Sequence, residues 1–470
     1  MALNALPTFQ LQPSSTQQAV ATNYITNFDF LNQYLPDTYE KEFERYGNRS
    51  VASFLRMVGA ELPSNSDLIK WAEQGRLHTK YIDVNAEGAL GDNTADFTVN
   101  DIAPATNVSV RAGQTIMISD NAGNGSNKAV VTVVDPATGV VSVAFYEAAG
   151  QAFAFGSTVT LFIYGSEFKK GTNGMQESVE PSDEIFDNKP IIIKDKYSVS
   201  GSDMAQIGWI EVSTENGGTG YLWYLKAEHE TRLRFDDYLE TAMIETVPAE
   251  QGSGADAALG NGLITGATGA GSEGVFYAVE DRGNVFGGGN PTTLAEFDTI
   301  IQRLDKQGAI EENVLFVNRQ FSFDIDDMLA AQSGYGSGGT SYGLFDNDQQ
   351  MALNLGFTGF RRGYDFYKSD WKYLNDPTMR GGLASGGVNG LLVPAGSTTV
   401  YDQVLGKNAK RPFLHVRYRA SESEDRRYKT WITGSAGGAA TSDLDAMEVN
   451  FLSERCVCTL GANNFVIFED

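Results

Sequence analysis

Residues 219–247 carry the only long, unbroken helical pattern in the 470-residue chain. Phe235, Leu239, Ala242 and Met243 recur at i, i+4, i+7 and i+8 and make one apolar stripe. Thr219 stands where an N-cap hydroxyl accepts from an orphan backbone N–H, and Pro248 ends the run. Glu228 to Arg232 and Glu230 to Arg234 place an acid four residues ahead of a base, the favourable order. About 26 residues at 1.5 Å each give a rod of roughly 40 Å. A mean helix has only about 11–12 residues. A rod this long is either a core helix of an α+β enzyme or the backbone of an extended, tile-shaped protein.

The chain is too long for one compact core, and two or three domains are expected. The 51 glycines and 11% aromatics suit a loop-rich mixture of helix and strand. With 35 basic and 60 acidic residues the net charge is −25, a field that repels nucleic acid and anionic membrane. A nucleic-acid-reading function is therefore disfavoured. No signal peptide is visible, and no apolar run is long enough for a membrane span. The two cysteines, Cys456 and Cys458, are two apart on an expected strand and read as small buried hydrophobes, which fits a reducing compartment.

Read in order, residues 1–80 form an N-terminal arm. Its polar beginning leads into short helices, including one that Ser64 opens ahead of Leu68, Ile69 and Trp71 and that ends near Gly75. Residues 81–165 change character and read as an inserted small β-barrel or sandwich. Thr115–Ser119, Lys128–Val134, Val140–Phe145 and Thr158–Tyr164 are its strand candidates, and Asp135-Pro136-Ala137-Thr138-Gly139 is a tight turn. Residues 166–212 read as an extended hairpin with strands near Pro190–Val199 and Ile207–Val212. Such an arm has little core of its own and gains stability by lying on a neighbour. A helix–strand–helix run follows: Leu294 to Gly308, Val314–Val317 and Phe321–Ala331. Asp346 begins a further helix through Leu355. Tyr364–Lys368, Gly390–Val393, Phe413–Tyr418, Arg427–Ile432 and Ala446–Thr459 are the remaining strand candidates.

The search for chemistry nominates no catalytic, cofactor-binding or metal-binding residue. The three histidines, His78, His229 and His415, lack zincin spacing, and no GxSxG elbow or P-loop occurs. Gly269–Gly274 matches GxGxxG formally but follows another glycine loop instead of a buried strand. Asp324, Asp326 and Asp327 fit the first turns of a helix, where acids complement its dipole. In so acidic a chain Arg361-Arg362 and Arg426-Arg427 are expected to pair with carboxylates.

The order of parts, together with whole phrases, resembles the major capsid proteins of tailed bacteriophages, the Hong Kong 97 capsid fold. The phrases Asn188-Lys189-Pro190-Ile191-Ile192-Ile193-Lys194-Asp195-Lys196-Tyr197, Gly201-Ser202-Asp203, Gln206-Ile207-Gly208-Trp209 and Glu280-Asp281-Arg282-Gly283-Asn284 are similar to those of crAss-like phage capsid proteins. So is the run Glu454-Arg455-Cys456-Val457-Cys458-Thr459-Leu460-Gly461-Ala462-Asn463-Asn464. The resemblance implies an α+β capsid fold: an N-arm, an extended hairpin or E-loop (166–212), a P-domain (213–289) with the spine helix 219–247, an A-domain (290–433) and C-terminal P-domain strands (434–470). The β-domain 81–165 departs from the minimal fold. It further implies a protein with no active site that assembles with itself as hexamers and pentamers around double-stranded DNA without sequence-specific contact. Pro190, Ile191, Ile193, Lys194, Lys196 and Tyr197 would touch a neighbouring subunit, and Phe235, Leu239 and Met243 would seat the spine. Portal, scaffold, decoration or head-fibre proteins are the implied partners, and the virion, built in a bacterial cytoplasm, is the implied location. A nanocompartment shell of the same fold, or an acidic protein that binds or acts on glycans, is the alternative.

Overall fold

The computed structural model describes residues 60–76, 78–99, 108–175, 183–205, 212–213, 219–220, 223–259, 270–308, 310–330, 359–383, 386–402, 407–438 and 440–470. The expected helices before residue 60 and at 346–355 lie outside them. The chain divides into two compact units, Trp71–Phe186 and the remainder.

The Trp71–Phe186 unit is built on a closed six-stranded barrel. Its strands run in the order Lys80–Ala86, Thr94–Thr98, Val140–Phe145, Ser126–Asp135, Gln114–Asp120 and Thr158–Ser166, and every pairing is antiparallel. Alternating side chains point inward, so Val84, Phe97, Ile116, Ile118, Val143 and Leu161 are buried. Closure removes both sheet edges, which otherwise invite pairing with other chains. The Asp135–Gly139 turn forms as expected: the Asp135 carboxylate accepts from the Ala137 N–H at 3.0 Å and the Thr138 hydroxyl at 2.7 Å, and Gly139 takes φ 72°. Two strands, Lys80–Ala86 and Thr94–Thr98, went unread in the sequence because Asp83, Asn85 and Asp96 dilute their apolar alternation.

In the larger unit a five-stranded sheet is organised by the strand Ala446–Thr459. One of its edges pairs with Ile191–Ser200, the other with Lys429–Gly434 and Leu414–Arg419, and Leu414–Arg419 pairs in turn with Ala60–Ser64. All but two residues of Ala446–Thr459 are buried, as a strand covered on both faces requires. A second, six-stranded mixed sheet runs in the order Asn284–Phe286, Val466–Glu469, Val388–Pro394, Glu312–Val317, Tyr364–Asp370 and Gly359–Arg362. The helices Leu294–Gln307 and Arg319–Ala330 bury Phe297, Ile300, Leu304, Phe321 and Ile325 against it. Thr293 and Glu296 close a capping box at the start of Leu294–Gln307, and Gly308 ends that helix at φ 83°.

The long helix spans Trp223–Glu245. It starts later than expected because Thr219, read as its N-cap, lies in a two-residue strand paired with Val212–Ser213. Phe235 and Met243 are fully buried and Leu239 nearly so. Phe235 packs against the ring of Phe451, on the central strand, at 5.6 Å and edge-on to Tyr428, just before the strand Lys429–Gly434, at 5.4 Å. Met243 and Ile244 continue into a core shared with Val275, Phe316, Leu391, Val457 and Ile467. The helix thus ties the two sheets together.

One expectation is corrected here. The helix expected from Ser64 to Gly75 is strand: Ala60–Ser64 and Ile69–Gln74, with Ile69, Trp71 and Glu73 on one side and Lys70, Ala72 and Gln74 exposed on the other. That is a two-residue period, satisfied by pairing with Asp183–Asn188, more than a hundred residues away. Most of the Ile207 segment expected to pair with Pro190–Val199 lies outside the described residues. Among the described residues Ile191–Ser200 pairs, along its whole length, with Ala446–Thr459.

Candidate contact surface

Ile191–Ser200 is the last strand of its sheet, and its outer edge meets no other strand among the described residues. Alternation splits its side chains. Ile191 and Ile193 pack on the core shared by the two sheets, and Tyr197 and Val199 on the core beneath the long helix. Burial, with Glu228 and Asp203 nearby, pushes the Tyr197 hydroxyl up to about 12. Asp195 accepts from Arg234 of the helix at 3.1 Å, which pins the strand under it. Ile192, Lys194 and Lys196 are exposed, Ile192 by 52%, and Lys196 reaches Glu448 at 2.9 Å. Of the six residues expected to meet a neighbour, Ile191, Ile193 and Tyr197 thus pack in the chain's own core. Lys194 and Lys196 lie on the surface and Pro190 is half-buried. The exposed apolar residues of this sheet also include Ile432, at 44%, on the strand Lys429–Gly434. An edge strand that no described strand covers, beside an exposed isoleucine, is a ready template for another strand.

The strand is held at its start by Asn188, which is 4% exposed. Its side-chain oxygen accepts from the Ser272 hydroxyl (2.9 Å), the Glu273 N–H (2.8 Å) and the Lys189 N–H (2.7 Å). Its amide donates to the Glu273 carbonyl (2.9 Å) and the Val457 carbonyl (2.6 Å). A carboxamide supplies both roles at one position, an acceptor oxygen and two N–H donors. The role of Asn188 is not legible in the sequence, since its partners other than Lys189 lie 84 to 269 residues away.

The remaining candidates resolve into structural contacts. Gly271 and Gly274 of the glycine motif press on the end of the long helix: a Cβ on Gly271 would stand 2.3 Å from the Val247 carbonyl oxygen, and one on Gly274 2.6 Å from that of Thr246. That close approach accounts for both glycines without a nucleotide. Asp326 pairs with Lys368 at 2.5 Å, and Asp324 accepts from Asn290 at 2.7 Å and Gln320 at 2.9 Å. Arg361 pairs with Asp365, Arg362 with Asp298, Arg426 with Glu454 and Arg427 with Glu61. Cys456 and Cys458 share a buried face of the strand, opposite Arg417 and His415. His229 is half-buried on the long helix and His78 is exposed. Among the described residues no three His, Cys, Asp or Glu side chains are placed to share a metal ion.

No family model matches the chain, and no curated protein matches it by sequence. Solved structures that overlap it include a chain of Microbacterium phage Oxtober96, at 8% identity over 92% of this chain and 95% of that one, with a TM-score of 0.39. The capsid of a native GTA particle overlaps at 8% identity over 94% and 96%, with a TM-score of 0.37. The capsid of the cyanophage P-SCSP1u does so at 8% identity over 65% and 80%, with a TM-score of 0.36. At scores below 0.5 these overlaps carry no argument about function, which rests on the residues already described.

Proposed function

We propose that the chain is a shell-forming protein, the major capsid protein of a tailed bacteriophage, which assembles with itself as hexamers and pentamers around packaged double-stranded DNA. The observation that carries this reading is the outer edge of Ile191–Ser200, ten residues long, which no other described strand pairs, beside the exposed Ile192. A second copy laid along that edge satisfies its backbone groups and covers the isoleucine. The phrases around Asn188–Tyr197 and Glu454–Asn464, which resemble capsid sequences, support a phage shell as the kind of assembly. The charge of −25 agrees with a wall that touches packaged DNA without gripping it, since few cations are available to displace counterions from phosphate. The long helix, tied to both sheets, keeps the edge strand at a fixed place in the subunit. Portal, scaffold and decoration or head-fibre proteins are the partners such a shell takes, and the virion is its place.

Native mass measurement with electron microscopy of the purified chain tests this reading. Closed particles of megadalton mass are expected. A monodisperse 50.9 kDa species under every assembly condition would sink it.

A further inference from the structure

The barrel carries a feature that shell building does not use. On the strand Thr158–Ser166, Ile163 stands opposite Ile116 and Gly165 opposite Thr115, so Tyr164 has no residue across from it. It is the extra residue of a β-bulge, a device that re-aims a side chain out of the ladder. Its ring is 47% exposed, and the Lys128 ammonium lies 5.8 Å from the ring centroid. A second phenol, Tyr146, is 49% exposed. Its hydroxyl donates to the Glu167 carboxylate at 2.5 Å, a contact that raises its proton loss to about 12 and fixes the direction of the ring. Between the rings lies a depression of about 460 Å³, completed by Thr115, Glu147, Gly165 and Ser166. Gly165 keeps it open: a Cβ there would come to 3.2 Å from the Thr115 hydroxyl oxygen.

We propose that this depression binds a neutral saccharide. Two flat aromatic faces offer stacking surface to the C–H face of a sugar ring, at low entropic cost because the rings are already held. Glu147 and Glu167 accept from sugar hydroxyls, while Lys128 donates to them. The lining has no leucine, isoleucine, valine, methionine or phenylalanine, so it lacks the apolar anchor pocket that a protein partner needs. Two carboxylates against one ammonium, in a chain of net charge −25, disfavour phosphorylated, sulfated or sialylated ligands.

Binding is tested on the full chain with immobilised neutral hexose and N-acetylhexosamine trisaccharides, a sialylated trisaccharide and a tri-arginine peptide. At least one neutral trisaccharide is expected to give saturable binding, with the sialylated one and the peptide silent. Tyr164→Ala should weaken that binding about tenfold, and Gly165→Val, which fills the depression, should abolish it. Tyr146→Phe, which releases Glu167, should weaken it about threefold. Unchanged thermal melting of Tyr146→Phe and Tyr164→Ala shows that the barrel is intact. The proposal is overturned if no neutral trisaccharide binds, if the peptide or the sialylated sugar binds instead, or if the folded variants bind like the parent chain. None of these readouts depends on shell assembly, so either idea can fail alone.

Discussion

At Asn188 one side chain makes five hydrogen bonds in a nearly dry site, and every partner except Lys189 belongs to a distant segment. The cost of deleting it is set by what it leaves behind. The Val457 and Glu273 carbonyls and the Glu273 N–H would stay buried and unpaired, at about 1–3 kcal/mol for each group, not additively. Asn188→Ala should therefore lower unfolding stability by about 3 kcal/mol. Asn188→Asp should do no better, since a carboxylate keeps the acceptors but cannot donate to the two carbonyls and buries a charge. Urea unfolding of the two variants measures this. A midpoint within error of the parent chain would mean that the network contributes nothing.

The long helix shows what one element does between two sheets. Its buried stripe of Phe235, Leu239 and Met243 was legible because apolar residues four apart over about two turns, inside a 23-residue run without glycine or proline, have no competing reading. Ala446–Thr459 was legible to the residue for a similar reason, being a long run rich in apolar residues that is covered on both sides. Ile69–Gln74 was misread because six residues fit a helical turn as readily as a strand, and the partner that decides between them is Asp183–Asn188. The open edge was not legible at all. Only the pairing with Ala446–Thr459 shows which side of Ile191–Ser200 is used and which no other described strand meets. If the helix holds that edge in place, breaking it should stop assembly. Phe235→Pro removes a mid-helix hydrogen bond and the ring packed on Phe451, each worth about 3 kcal/mol or more. No particles are expected from it, whereas Tyr238→Ala, at a position 46% exposed, should assemble normally. Particles of ordinary yield and size from Phe235→Pro, counted by microscopy, would show that the helix has no part in assembly.

For the whole molecule the governing quantity is charge. Each copy brings −25 into an assembly, and like charges at the contact distances of a shell repel. The contact inferred along Ile191–Ser200 relies on backbone hydrogen bonds and on Ile192, neither of which weakens in salt. Repulsion between copies does weaken, because the screening length falls from about 10 Å at 0.1 M to about 3 Å at 1 M ionic strength. Self-association should therefore strengthen as salt rises through that range, so that light scattering finds particles at lower protein concentration. The opposite trend would mean that the copies are held by ion pairs across their contact, with Lys194 as an exposed cation on the edge strand beside Lys196, which already reaches Glu448. Lys194→Ala separates the two cases. It should leave the salt response intact if repulsion sets the threshold, and flatten it if that lysine carries the contact.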